Sequence, residues 1–151
     1  HPNAYRPVKF AHNDYTEESA ALRLSQLDPD KVYRNFPNFG FYNIWQPLLE
    51  PVVDTPLALI NHNSINVQDL IEISLLYKNR TGKILGIKHD SNHQWVYFSR
   101  MKRSEAIMIK CFDTRKSVKA RFGIHGAFQN NSAPLNASPR RSIEVRVIAF
   151  F

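Results

Sequence analysis

The feature that most constrains this chain is a recurrence of short apolar runs, rich in β-branched and aromatic residues and separated by polar or proline-containing turns. About eight such runs can be marked: residues 8–10, 41–45, 56–60, 83–88, 95–99, 106–112, 121–128 and 143–151. Spacing of this kind predicts an antiparallel sandwich or barrel, because alternate side chains of a strand point to opposite faces and each run can bury one of them. In the last run, Ile143-Glu144-Val145-Arg146-Val147 alternates apolar with polar, which puts Glu144 and Arg146 on one face with Ser142. Two segments depart from the pattern and read as helices. Residues 17–27 follow Thr16 as N-cap and carry Glu17 and Glu18 in the first turn, and residues 67–76 follow Asn66 as a second N-cap. Residues 129–139, rich in Asn, Ser and Pro, read as a loop. The expected fold is mainly β with α decorations.

A chain of 151 residues, 43% of them hydrophobic, is enough for one domain with a real core, so residues 1–151 are expected to form a single domain. It opens on His1-Pro2 and closes on the apolar Val147-Ile148-Ala149-Phe150-Phe151, so the expectation is a domain truncated at its N-terminus. Its apolar runs fall short of the ~20 residues that cross a bilayer, and the first thirty positions lack the order of a secretory signal, so no membrane partner is expected. The single cysteine, Cys111, cannot pair within the chain, which points to a reducing, cytoplasmic compartment. The net charge of +7 raises nucleic acid as a partner. Its distribution argues against that, since Lys102-Arg103, Arg115-Lys116 and Arg140-Arg141 are scattered pairs rather than one organised face. Oligomeric state cannot be read from the sequence.

The chemistry concentrates at His12-Asn13-Asp14, directly after an extended run, where residues i and i+2 project to one face and can grip one ion together. A later histidine, His125, lies in the run 121–128. Two imidazoles and a carboxylate on one side of a metal leave open positions for a co-substrate and O₂, the arrangement used by non-haem iron(II) oxygenases. The plainer alternative makes His12 a surface imidazole and Asp14 a cap for the helix beginning near Thr16. Beyond His125, Arg140 and Ser142 alternate onto one face, and a guanidinium with a hydroxyl suits bidentate capture of a distal carboxylate such as that of 2-oxoglutarate. Arg146 competes for that role, since an arginine within an apolar strand requires an anion, whereas Arg141 should point away and be exposed. Asn43 and Trp45 share a face of the run 41–45, so Asn43 can present an amide to the co-substrate and Trp45 a wall to the substrate or simply core. His89, Asp90 and His93 flank Ser91-Asn92 and read as a turn rather than a second metal site. Cys111 reads as a small buried hydrophobe, and Asp113 with Arg115 as an exposed ion pair.

On these segments the chain resembles the AsaB-like fungal hydroxylases and desaturases, which include gibberellin-desaturase-like and cephalosporin-methoxylase-like proteins. The resemblance lies in residues 11–16, 43–48, 54–59, 93–98, 110–115, 125–128 and 139–146, in that order along nearly the whole chain. It implies a double-stranded β-helix, or jelly-roll, core and an Fe(II)/2-oxoglutarate-dependent oxygenase of secondary metabolism that hydroxylates or desaturates a small organic molecule. It also implies that His12, Asp14 and His125 bind iron and that Arg140 binds 2-oxoglutarate. The chain departs from the family in two ways. Arg141 stands where the family's motif is usually Arg-Glu-Ser, and only eleven residues precede His12, where relatives carry a long N-terminal portion that supplies strands and part of the substrate pocket. The competing expectation is a non-catalytic jelly-roll remnant that binds a ligand or partner.

Overall fold

A computed structural model describes residues 6–28 and 30–151. The strands are β1 (His12–Asn13), β2 (Phe39–Pro47), β3 (Leu57–Ile60), β4 (Leu70–Tyr77), β5 (Arg80–Ile87), β6 (Trp95–Tyr97), β7 (Ile107–Asp113), β8 (His125–Ala127) and β9 (Ser142–Phe150), and the α-helix is α1 (Glu17–Leu27). They form a six-stranded sheet in the order β4-β5-β1-β8-β3-β6 and a three-stranded sheet in the order β7-β2-β9. Neighbouring strands pair antiparallel. This is a jelly-roll arrangement, in which the chain passes between the sheets at β1-β2-β3 and again at β6-β7-β8-β9, while β3 to β6, with the β4-β5 hairpin among them, all lie in the larger sheet.

The run from 39 to 47 becomes the centre of the smaller sheet because one of its faces is wholly apolar or amide: Phe41, Asn43 and Trp45 are buried while Tyr42, Ile44 and Gln46 are half-exposed. Phe41 and Trp45 join Ile107, Ile109, Cys111 and Phe112 of β7 and Tyr15 in one core. Helix α1 covers one end of it with Ala20 and Leu24, four positions apart and hence on one face. Its start is locked by a capping box. Thr16 Oγ1 accepts from the Ser19 amide at 3.0 Å, and Ser19 Oγ accepts from the Thr16 amide at 2.9 Å.

The helix expected over 67–76 does not form. A 3-10 turn at Val67–Asp69, capped by Asn66, is followed by β4, which pairs with β5 along its whole length from Leu70↔Ile87 to Tyr77↔Arg80. Ile71, Ile73 and Leu75 alternate with Glu72 and Ser74, a period of two, and the turn at Lys78-Asn79 returns the chain as a hairpin. At the amino end the strand is His12–Asn13 and residues 8–10 lie outside it, although the Val8 carbonyl accepts from the Ala127 amide at 2.7 Å. The run 121–128 contributes to the ladder only His125–Ala127.

Candidate active site

β1 is two residues long but occupies the middle of the larger sheet, with His12 opposite Gly86 of β5 on one side and opposite His125 of β8 on the other. The strand neighbours therefore place the two imidazoles side by side, their ring centroids 4.6 Å apart. Asp14 follows at i+2 and turns its carboxylate to the same point, with Oδ1 3.8 Å from His12 Nε2. One donor atom from each of His12, Asp14 and His125 lies within 4.8 Å of the others, close enough to hold a single metal ion.

The imidazoles are oriented for that use. His12 Nδ1 lies 3.0 Å from the Phe10 carbonyl, and His125 Nδ1 lies 2.8 Å from the Gly123 carbonyl. A carbonyl only accepts, so each ring carries its proton on Nδ1 and leaves the Nε2 lone pair free for a metal. Burial, followed by the neighbouring His12, pushes the His125 imidazole below its ordinary value, which keeps it neutral. The donor set, the tautomers and the burial of both rings fit a non-haem iron(II) ion.

Asp14 is held from behind. Its Oδ2 accepts from Asn43 Nδ2 at 2.5 Å and lies 3.2 Å from Arg146 Nη2. Asn43 Nδ2 also donates to Glu144 Oε1 at 3.0 Å, and Arg146 Nε lies 3.5 Å from the same oxygen. Arg146 has thus found its anions within the chain. Burial works against its charge, but Asp14, Tyr15 and Glu144 hold it above its ordinary value. Burial, followed by the charge of Asp14, pushes the Glu144 carboxyl up.

Arg140 stands apart from this network. It donates from Nη1 to the Thr55 carbonyl at 2.9 Å, and its Cζ lies 5.4 Å from the centroid of the Trp45 ring. Half-buried and without an ion pair among the described residues, it is held below its ordinary value by burial. Ser142 begins β9 opposite Pro47, also half-buried, and Arg141 is exposed. Trp45 belongs to the core cluster and also meets Arg140.

Other residues fall as follows. Asp90 accepts from the Asn92 amide at 2.8 Å, so His89 and His93 flank a turn. Cys111 is buried, and burial raises its thiol far above the ordinary range. Asp113 is not the exposed residue expected of its pair with Arg115. Its side chain is 0% exposed, because it ends the central face of β7 rather than beginning a loop.

Sequence reasoning missed Asn13 and Glu144. Asn13, between the two ligand candidates, faces the other way into the core and donates to the carbonyls of Tyr15 at 2.7 Å and of Cys111 in β7 at 2.8 Å. The alternation that puts His12 and Asp14 on one face requires this, so a polar residue at that position was the available signal. Glu144 shares a face with Arg146, but its link to Asp14 runs through Asn43, a contact between distant strands.

Fold and donor set together define a class, the jelly rolls that bring two histidines and one carboxylate to a point suited to a metal. Within it the chain belongs to the family described as "YDMC: Oxidoreductase/YMDC permease-like domain", which matches residues 2–150. No helix among the described residues is long and apolar enough to cross a membrane. Among curated relatives, the chain is 30% identical over 148 residues to "Fe(II)/2-oxoglutarate-dependent dioxygenase nvfI" of Aspergillus novofumigatus, covering 96% of this chain and 53% of that protein. It is 34% identical over 151 residues to "Hydroxylase/desaturase asaB" of Aspergillus flavus, covering 89% and 65%. It is 34% identical over 112 residues to "Aspirochlorine biosynthesis protein N" of Aspergillus oryzae, covering 72% and 47%. The solved structure of "iron and alpha-ketoglutarate-dependent endoperoxidase NvfI" superposes with a TM-score of 0.87 at 27% identity, covering 98% of this chain and 57% of that one. The chain therefore spans about half to two thirds of the length of the relatives it matches. The resemblance to AsaB-like hydroxylases and desaturases is confirmed by these relatives, as is the jelly-roll fold.

Proposed function

We propose that this chain supplies the iron(II)- and 2-oxoglutarate-binding core of an oxygenase that hydroxylates or desaturates a small organic molecule in secondary metabolism. The observation that carries the reading is the convergence of His12, Asp14 and His125 within 4.8 Å, with both Nδ1 atoms already committed to backbone carbonyls. The oxygenase activities of the relatives named above support it over a non-catalytic binding module.

His12 Nε2, His125 Nε2 and one oxygen of Asp14 would hold the iron. Asn43 and Arg146 take the other oxygen of Asp14, so the carboxylate presents one edge to the metal and cannot swing away. When bound, iron with 2-oxoglutarate and O₂ supplies the oxidising power for attack on a C–H bond, chemistry that no amino-acid side chain provides. Arg140 takes the distal carboxylate of 2-oxoglutarate, with the Ser142 hydroxyl beside it. A half-buried guanidinium with no ion pair among the described residues, only partly offset by the more distant charges of Glu144 and Asp54, is suited to an incoming anion, and the Trp45 ring packs beside it. Asn43 Oδ1 is buried and has no hydrogen-bond partner, so this amide retains one acceptor for a ligand or water at the site. The partners are a small-molecule substrate and O₂, and the buried free Cys111 fits a cytoplasmic setting.

The test is anaerobic titration of the chain with Fe(II) and 2-oxoglutarate, followed by the weak visible charge-transfer band of the chelate. The band should appear in the wild type and vanish in His125→Ala. Its absence from a folded wild-type chain under saturating iron and 2-oxoglutarate would remove this function from the chain.

A further inference from the structure

A cleft of about 620 Å³ opens between α1 and the β4–β5 hairpin, and Asp14 and Arg146 form part of its wall. It is therefore contiguous with the candidate metal centre, and Arg140, Thr55 and Trp45 are not among the residues that line it. The cations lining it fall into two groups. Arg146 is compensated by Asp14 and Glu144, and Lys83 by Glu18 and Glu72. Arg23 of α1 and Arg80 of the hairpin make no ion pair among the described residues. Arg23 reaches only Gln26, at 3.4 Å, and Arg80 lies over the Tyr77 ring, 4.1 Å from its centroid. Leu22, Leu75 and Ile84 also line the cleft and give its wall apolar surface.

We propose that this cleft binds the organic substrate and that the substrate is an organic carboxylate with an apolar body, its charge taken by Arg80 and Arg23 at the rim. The inference rests on the oxygenase reading for the meaning of the site, since it makes the metal centre the place where the apolar body is oxidised. Two exposed guanidiniums on opposite walls create a positive field across the opening that the cleft's own acids, already paired, do not cancel. The Tyr77 ring, 4.1 Å from the Arg80 guanidinium carbon, restrains that side chain, so engaging a carboxylate costs less side-chain freedom. Leu22 and Leu75 would take the apolar body by ordinary burial of hydrocarbon surface.

The test titrates the full chain, without metal, with 1-naphthoate and with its neutral amide 1-naphthamide, which share an apolar body and differ in charge. At low ionic strength 1-naphthoate should bind roughly tenfold more tightly than the amide, the size expected for partly screened charge pairs. In the double variant Arg23→Gln/Arg80→Gln the preference should fall to about twofold or less, and in Arg34→Gln, an exposed arginine outside the cleft, it should persist. Equal affinities for the two probes, a preference that survives the double substitution, or displacement of naphthoate by excess 2-oxoglutarate would each overturn the proposal. The iron titration is read separately. A chain that binds Fe(II) and 2-oxoglutarate yet shows no preference for naphthoate keeps the oxygenase and loses the carboxylate substrate. A preference without iron binding upholds the anion cleft and overturns its role as a substrate site.

Discussion

Asp113 illustrates how far one carboxylate's surroundings can differ from what its neighbours in sequence suggest. Arg115 donates Nε to Oδ1 at 3.0 Å and Nη2 to Oδ2 at 2.8 Å, and its amide donates to Oδ1 at 3.0 Å. These side-chain bonds to Arg115, outweighing burial, hold the Asp113 carboxyl below the usual carboxylate range. The unfolded chain, with an Asp near its ordinary ~3.9, then binds more protons than the folded one as pH falls through that region. The stability supplied by the pair is fully present above pH ~3.9 and drains away below it, toward the lower folded value. Asp113→Asn should cost about 1–3 kcal/mol at pH 7 in urea unfolding and should shed part of the loss that the wild type suffers at acid pH. An unchanged acid slope in the variant would show that the pair does not set it. Arg140 and Arg141 are adjacent in sequence but opposite in exposure, so Arg140→Lys, which keeps charge and loses the planar fork, should weaken 2-oxoglutarate binding by roughly tenfold or more. Arg141→Lys should leave that affinity unchanged in the same calorimetric titration.

Among the elements, β1 does most with least, since two residues in the middle of a sheet aim His12 and Asn13 to opposite sides and lead into Asp14. Its partner β8 depends on Gly123, just upstream, where an added Cβ would come 2.8 Å from the Lys110 carbonyl. That contact is with backbone, which yields little. The Gly123 carbonyl also orients His125, so Gly123→Ala should lower stability by about 1–3 kcal/mol and weaken binding of a divalent cation at the same time. Urea unfolding and a Zn(II) titration on the same preparation would check both, and a loss of stability with intact zinc affinity would uncouple the glycine from the site. Helix α1 was legible because its signals are local: Thr16 at the cap, two acids in the first turn, and Ala20 and Leu24 four apart. The segment 67–76 was not, because apolar residues there satisfy a helical pattern as well as an alternating one until a partner strand is known. β5 decides it, pairing with all eight residues of β4.

In the molecule as a whole, the candidate metal site gathers the two sheets. His12 and His125 come from adjacent strands of the larger sheet, while Asn43 of β2 and Arg146 of β9 reach Asp14 from the smaller one. An ion held there ties these strands together only in the folded chain, so it should stabilise the whole fold. With Zn(II), a redox-inert stand-in, at about a hundredfold over its dissociation constant, stability should rise by ~2.7 kcal/mol, and Asp14→Ala should abolish the gain in thermal melts. An equal gain in the variant would place the zinc elsewhere. What the sequence determined by itself was whatever depends on alternation and local caps: the β character, α1, the shared face of His12 and Asp14, and the exposure of Arg141. The meeting of His12 with His125, the claim of Asp14 and Glu144 on Arg146, the burial of Asp113 and the strand at 70–77 were decided only by the tertiary structure. Each is a pairing between residues on separate strands or a matter of which face is covered. The free energy of such contacts depends on the neighbours that folding brings up, and no local pattern encodes those neighbours.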